Sequence, residues 1–185
     1  MQYVYNMKFI DNNISIYSGS YFNVSKNDNG TSIMKFSNGY QQDNLELYNN
    51  IMLGGCDTCQ DNWIYTQFNG FTYDKVLVAG LGLGLIPQEL YTVKNCSKVD
   101  VVEINQDVID WVNSSNHLDS NINIFQSDIY DYTTSDLYDL IIIDTIWHEF
   151  EMSEEQYQLL ENKFLSNLNT GGVLYVPIIK KWKIK

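Results

Sequence analysis

Gly80, Gly82 and Gly84 stand at every second position of "KVLVAGLGLGLIPQEL" (75–90), where an apolar run passes into a segment with a proline near its start. Glycine weakens both strands and helices, so its repetition here marks a backbone that needs room or a conformation closed to other residues. By itself Gly-x-Gly-x-Gly is a weak signal, because a tight turn without a ligand would also use it. The acids that follow sharpen it. Glu103 closes the next apolar run, "KVDVVEI", roughly 20 residues beyond the last glycine, where a carboxylate can accept hydrogen bonds from both hydroxyls of a ribose. A solvated glutamate at a strand end is the alternative there. Asp128 ends "INIFQSD" and is placed to hold the amino group of an adenine, with Ile104 packing on the ring face. Asp144 ends "YDLIIID", so its carboxylate would face the same cleft. Four strand ends with matching chemistry point to a bound nucleoside.

These residues need strands to carry them and helices to separate the strands. "KVLVAG", "KVDVVEI", "INIFQSD", "YDLIIID" and "GGVLYVPII" read as strands, and "IPQELYTVK", "NQDVIDWVNSS" and "SEEQYQLLENKFLSNL" as helices between them. Pro87 falls in a first helical turn, and Ser153 precedes two glutamates as an N-cap. Strands apolar on both faces and alternating with helices predict a parallel sheet covered on both sides, a Rossmann-like α/β fold. Residues 1–70 differ: "NISIYSG", "SYFNVSK" and "TSIMKFS" alternate between "NDNG" and "SNG" turns as hairpins do. "DNLELYNNIML" then reads as a short helix stopped by "GG". The expected organisation is an N-terminal β-hairpin extension with a short helix over 1–70 and a nucleoside-binding domain over 71–185.

Composition narrows the function. A formal charge of −12 repels a nucleic-acid backbone and favours small or cationic substrates. All eleven basic residues are lysine, so no guanidinium fork can clamp a phosphate. The same bias, with many Asn, Ile and Tyr, points to an AT-rich genome such as that of a phage or a host-restricted or marine bacterium. No apolar run is long enough for a membrane span and no secretion signal opens the chain, which leads to a cytoplasmic expectation. Cys56 and Cys59 form a Cys-x-x-C, but with only Cys96, His117 and His148 besides them the ligand spacing of a zinc site is unmet, and no metal is expected.

"VLVAGLGLG", "VVEIN", "QSDI" and "YDLIIIDTIW", in this order and spacing, resemble the class I S-adenosylmethionine-dependent methyltransferases, and within them the spermidine synthase (polyamine aminopropyltransferase) branch. The resemblance covers about residues 40–178. It implies S-adenosylmethionine, or its decarboxylated form, as cofactor. Gly80, Gly82 and Gly84 would line its aminoacyl part, Glu103 its ribose and Asp128 its adenine. "NGYQQDNLELYNNIML" is similar to a segment that supplies a cofactor-contacting glutamine, which here would be Gln41 or Gln42.

The departures bear on the reaction. Where aminopropyltransferases carry an aspartate within the glycine loop this chain has Leu83, and where they read Asp-Ser/Thr-x-Asp it reads Asp144-Thr145-Ile146-Trp147. The second aspartate, which helps to deprotonate the attacking amine, is missing. Beside Asp144, His148 is the candidate general base, with Glu149 as a substitute and a merely structural loop histidine as the alternative. Trp147 is either a pocket wall or core. Three activities follow: methyl transfer to a small molecule, aminopropyl transfer with an altered base, and cofactor cleavage or binding without transfer. The sheet is expected to stop after the fifth strand, the tail "KKWKIK" being too short for a further hairpin. The exposed edge would then be covered by the N-terminal extension or by a second subunit in a homodimer, or be guarded by the lysines.

Overall fold

The computed structural model describes residues 14–19, 22–26, 32–36, 52–55, 72–92, 94–145, 152–177 and 181–185. Along them run β1 Tyr17–Ser18, β2 Phe22–Lys26, β3 Ser32–Phe36, β4 Met52–Gly55, β5 Lys75–Ala79, α1 Leu85–Thr92, β6 Lys98–Glu103, α2 Gln106–Ser115, β7 Asn123–Gln126, β8 Tyr138–Ile143, α3 Glu154–Phe164, β9 Leu168–Val176 and β10 Lys181–Ile184. β1 to β4 form one antiparallel sheet in that order, and the other six strands form a second sheet in the order β10-β9-β8-β5-β6-β7.

The larger sheet is parallel from β7 to β9. Its first strand, β5, is central: the chain moves outward to β6 and β7, then returns to the other side of β5 with β8. Connections therefore diverge between β5 and β8, and in such sheets ligands bind beyond the strand ends at that point. Strand periodicity divides the core. Val76, Val78, Val99, Val101, Leu140 and Ile142 belong to one buried cluster with Leu90 of α1 and Trp111 of α2. Leu77, Ala79, Val102, Ile141 and Ile143 belong to the other, with Tyr157, Leu160 and Phe164 of α3. The starts of α2 and α3 are capped, the second as the sequence marks it. Asn105 Oδ1 accepts from the Asp107 and Val108 amides at the start of α2, and Ser153 and Gln156 form a reciprocal capping box at α3.

Two expectations need correction. The sheet does not stop at its fifth strand, because the lysine-rich tail supplies β10, antiparallel to β9. Alternation makes this possible: Lys181 and Lys183 fall on the α3 face, where Lys181 pairs with Glu154 and lies over the Tyr157 ring, and Lys183 meets Glu161 at 2.8 Å. The tail lysines thus neutralise acids on α3 instead of guarding an open edge, and the N-terminal sheet is elsewhere, with Tyr17 and Phe22 against Trp111 (ring centroids 6.2 and 5.6 Å). The second concerns "IML" and "GG", expected as a helix end and its stop: Met52–Gly55 is a strand paired with β3. Tertiary pairing overrides local propensity there. Residues 43–51 lie outside the described residues.

One buried acid was not anticipated. Asp100, fully buried in β6, accepts from Asn123 Nδ2 (2.8 Å) and Tyr138 Oη (2.7 Å) and is 3.2 Å from Lys98 Nζ. It ties β6 to β7 and β8, and burial pushes the Tyr138 hydroxyl far above its ordinary pKa.

Candidate functional site

The glycine turn begins where β5 leaves the sheet. Gly80, Gly82 and Gly84 all have positive φ (95, 51 and 76°), a region that L side chains rarely adopt. Gly80 also sits against the exit of β8: a Cβ there would be driven into the Asp144 carbonyl oxygen and would lie 3.0 Å from its carbon. The Gly80 amide donates to the Val102 carbonyl (2.8 Å) and the Asp144 amide to that of Ala79 (2.9 Å). Two backbone bonds thus hold β8, β5 and β6 together at the switch point. The turn closes with the Gly84 amide donating to Leu81 O (2.8 Å), and α1 starts at the next residue.

Glu103 faces this turn. Its Oε2 accepts from the Leu81 amide and its Oε1 from the Asn105 amide, each at 2.9 Å. Burial raises its pKa, opposed by backbone amides led by those of Leu81 and Asn105. A carboxylate oxygen can accept more than one hydrogen bond, so capacity remains for further donors. Ile104, next along, is 56% exposed, unusual for so apolar a side chain directly after a buried strand. Asp128 follows β7; its Oδ1 accepts from the Tyr130 amide (2.9 Å) and its carbonyl from the Asp131 and Tyr132 amides. The Tyr130 hydroxyl has a raised pKa, first from burial and then from the Asp128 charge.

Gly80, Gly82, Glu103, Ile104 and Asp144 are therefore gathered at the ends of three adjacent strands, with Asp128 at the end of the fourth. Gly84 is different. It is buried, and its side-chain direction faces Leu118, His117 and Val112 at 3.3 to 3.7 Å, so its place is set by packing of the turn onto the connection after α2. Gln41, Gln42, Trp147, His148 and Glu149, with Cys56 and Cys59, lie outside the described residues. Cys96 is a buried thiol whose pKa is pushed up to about 11, first by burial and then by Asp74 and Asp139. Among the described residues no group of three His, Cys, Asp or Glu is arranged to hold a metal, and no helix is long and apolar enough to cross a membrane.

Sequence reasoning passed over two side chains that support the turn. His117 Nε2 lies 2.8 Å from the Leu83 carbonyl oxygen, and Gln88 Oε1 accepts from the Asp119 amide at 2.7 Å. Both are buried polar residues distant in sequence from their partners, so no local pattern could have flagged them.

The fold that carries this turn is shared with solved structures. The chain has the Rossmann-like methyltransferase fold. It superposes on the N-methyltransferase NodS from Bradyrhizobium japonicum in complex with S-adenosyl-L-homocysteine with a TM-score of 0.50 and 20% identity, over 63% of this chain and 60% of NodS. It superposes on the glycopeptide N-methyltransferase MtfA with a TM-score of 0.51 and 15% identity, over 64% of this chain and 52% of MtfA. A further MtfA structure, complexed with sinefungin, matches with a TM-score of 0.50. The matched region thus spans between half and two thirds of these proteins. No protein-family profile and no curated protein sequence matches the chain.

Proposed function

We propose that the chain binds S-adenosylmethionine across the Gly80–Gly84 turn and transfers its methyl group to a small molecule. The observation that carries this reading is the half-buried Glu103 carboxylate set directly beside the Leu81 amide of a positive-φ glycine turn. A strand-end glutamate with a purely structural task would be cheaper fully in water than half-buried there with a raised pKa.

The residues fit the cofactor in kind. Glu103 would accept from the ribose hydroxyls, the exposed Ile104 side chain would lie on the adenine, and Asp128 would take the adenine amino group. Asp144, half-buried at the switch point, would attract the cationic end of the cofactor. Bound there, the cofactor would supply an electrophilic methyl group to the acceptor's lone pair and leave as the neutral thioether. The protein's share is alignment, which converts a bimolecular step into one within a complex and can account for much of the rate without an acid or base. An amine acceptor must be neutral to attack and must then lose a proton, the role proposed for His148. The net charge of −12 and the N-methyltransferase activity named for NodS and MtfA support an amine-bearing acceptor.

Calorimetric titration with S-adenosyl-L-homocysteine tests the binding, and mass spectrometry of a panel of amines incubated with S-adenosylmethionine tests the transfer. Binding and a 14 Da increment on an acceptor are expected, as about one methylene unit is added per methyl transfer. Absence of binding overturns the reading. Preference for the decarboxylated cofactor would favour the aminopropyl branch, for which the neighbours offer no support, and breakdown of the cofactor without an acceptor would favour a lyase.

A further inference from the structure

We infer that His117 is a positioning residue that holds the glycine turn in its cofactor-binding shape, an inference that rests on the nucleoside reading above. The ring belongs to the connection that leaves α2 after Asn116, whose left-handed backbone (φ 51°) ends the helix and turns the chain inward. It is only 9% exposed and packs against Trp111, with ring centroids 5.7 Å apart. Its other neighbour is Gly84, where a Cβ would come within 3.4 Å of Nε2. Gly84 is thus required as glycine by its φ, and the imidazole lies at contact distance beside it.

The hydrogen bond assigns the tautomer. A carbonyl oxygen can only accept, so Nε2 carries the proton and donates to Leu83 O at 2.8 Å. Nδ1 is then a bare acceptor, buried without a partner. Burial also lowers the pKa of the ring, which keeps it in the neutral form that this bond uses. Glu103 holds the Leu81 amide, and Gly84 N to Leu81 O closes the turn. Leu81 and Leu83 are both buried, so the turn is held at two points, by a carboxylate accepting at one and an imidazole donating at the other, while Gly82 between them is left partly exposed. Gln88 supports the same docking by accepting from the Asp119 amide, two residues beyond the histidine. Without the imidazole donor the Leu83 carbonyl is buried and unpaired, and rotation of its peptide to find a partner would also turn the Gly84 amide, which closes the turn on Leu81 O.

His117→Phe keeps a ring against Trp111 and removes the donor; His117→Gln removes the ring and places an amide N–H near the former Nε2. S-adenosyl-L-homocysteine affinity is measured by calorimetry well below each variant's melting temperature, and exchange of the Leu81 and Gly84 amides by hydrogen-exchange mass spectrometry without ligand. His117→Phe is expected to weaken binding about tenfold, the effect of one buried hydrogen bond, and to speed exchange of both amides, while His117→Gln stays within about threefold of wild type. His117→Leu serves as a second donor-free variant should the phenylalanine not be accommodated. Wild-type affinity and exchange in the donor-free variants, with only melting temperature lowered, would overturn the inference and assign His117 to the core. Should the wild-type protein bind no S-adenosyl-L-homocysteine, the cofactor reading falls, and exchange decides separately: unchanged exchange in the donor-free variants overturns the clasp, and faster exchange restored by glutamine supports it.

Discussion

Replacing Gly80 by alanine tests the geometry on which the site depends, provided the cost of positive φ is separated from the cost of contact. Gly171 supplies the control: its φ of 78° is comparable with the 95° of Gly80, but a Cβ at Gly171 would meet nothing within 4 Å. Gly171→Ala should therefore cost only the left-handed backbone penalty, about 1–2 kcal/mol. Gly80→Ala bears the same penalty and must also drive the Asp144 carbonyl away from β5. That movement pulls on the Gly80 to Val102 bond (2.8 Å) and the Asp144 to Ala79 bond (2.9 Å). Losing the net worth of two backbone hydrogen bonds adds about 2 kcal/mol, for a total of about 3–4 kcal/mol. Urea unfolding of the wild type and both variants gives the difference, read as a shift in midpoint at constant slope. Because the Asp144 exit moves, S-adenosyl-L-homocysteine affinity should fall with Gly80→Ala and not with Gly171→Ala. If the two variants lose equal stability, to within about 0.5 kcal/mol, the close approach of the two strand exits is refuted, and with it the cleft placed there.

Glu103→Ala should weaken S-adenosyl-L-homocysteine binding by about 1–3 kcal/mol, read by calorimetry, and unchanged affinity would mean that the ribose is held elsewhere. Cys96 should resist a thiol reagent at pH 8 in a variant with Cys56 and Cys59 changed to serine, since its pKa near 11 leaves little thiolate, and should react fully in urea; rapid labelling of the folded variant would contradict its burial. The lowered pKa of His117 makes the unfolded chain take up a proton that the native ring refuses. Its contribution to stability is thus present above the ordinary value of about 6.5 and is lost as pH falls below it through the depressed folded value. Unfolding midpoints measured from about pH 7 to 5 should decline in the wild type and less in His117→Gln; parallel declines would show that other groups carry the dependence.

The strands and helices from residue 75 onward were legible because their signals are local. Apolar runs such as "DLIIID" are long enough to be strands buried on both faces, and Ser153 marks a helix start by a side chain that bonds an amide three residues away. The glycine spacing and the acid roughly 20 residues later could be read for the same reason, since both follow from one strand, one helix and the next strand. What the sequence could not disclose is where distant segments meet. The tail reads as too short for a hairpin, and becomes β10 because β9 offers an unpaired edge and α3 presents Glu154 and Glu161 to its lysines. Met52–Gly55 follows a helix-like run, and becomes a strand because β3 lies beside it. The fixing of the glycine turn depends on His117 and Glu103, which reach Leu83 and Leu81 across 34 and 22 residues. Local chemistry determined which residues form each element, and the close packing of elements far apart in the chain decided which glycine faces inward, which carbonyl is held and where the cleft opens.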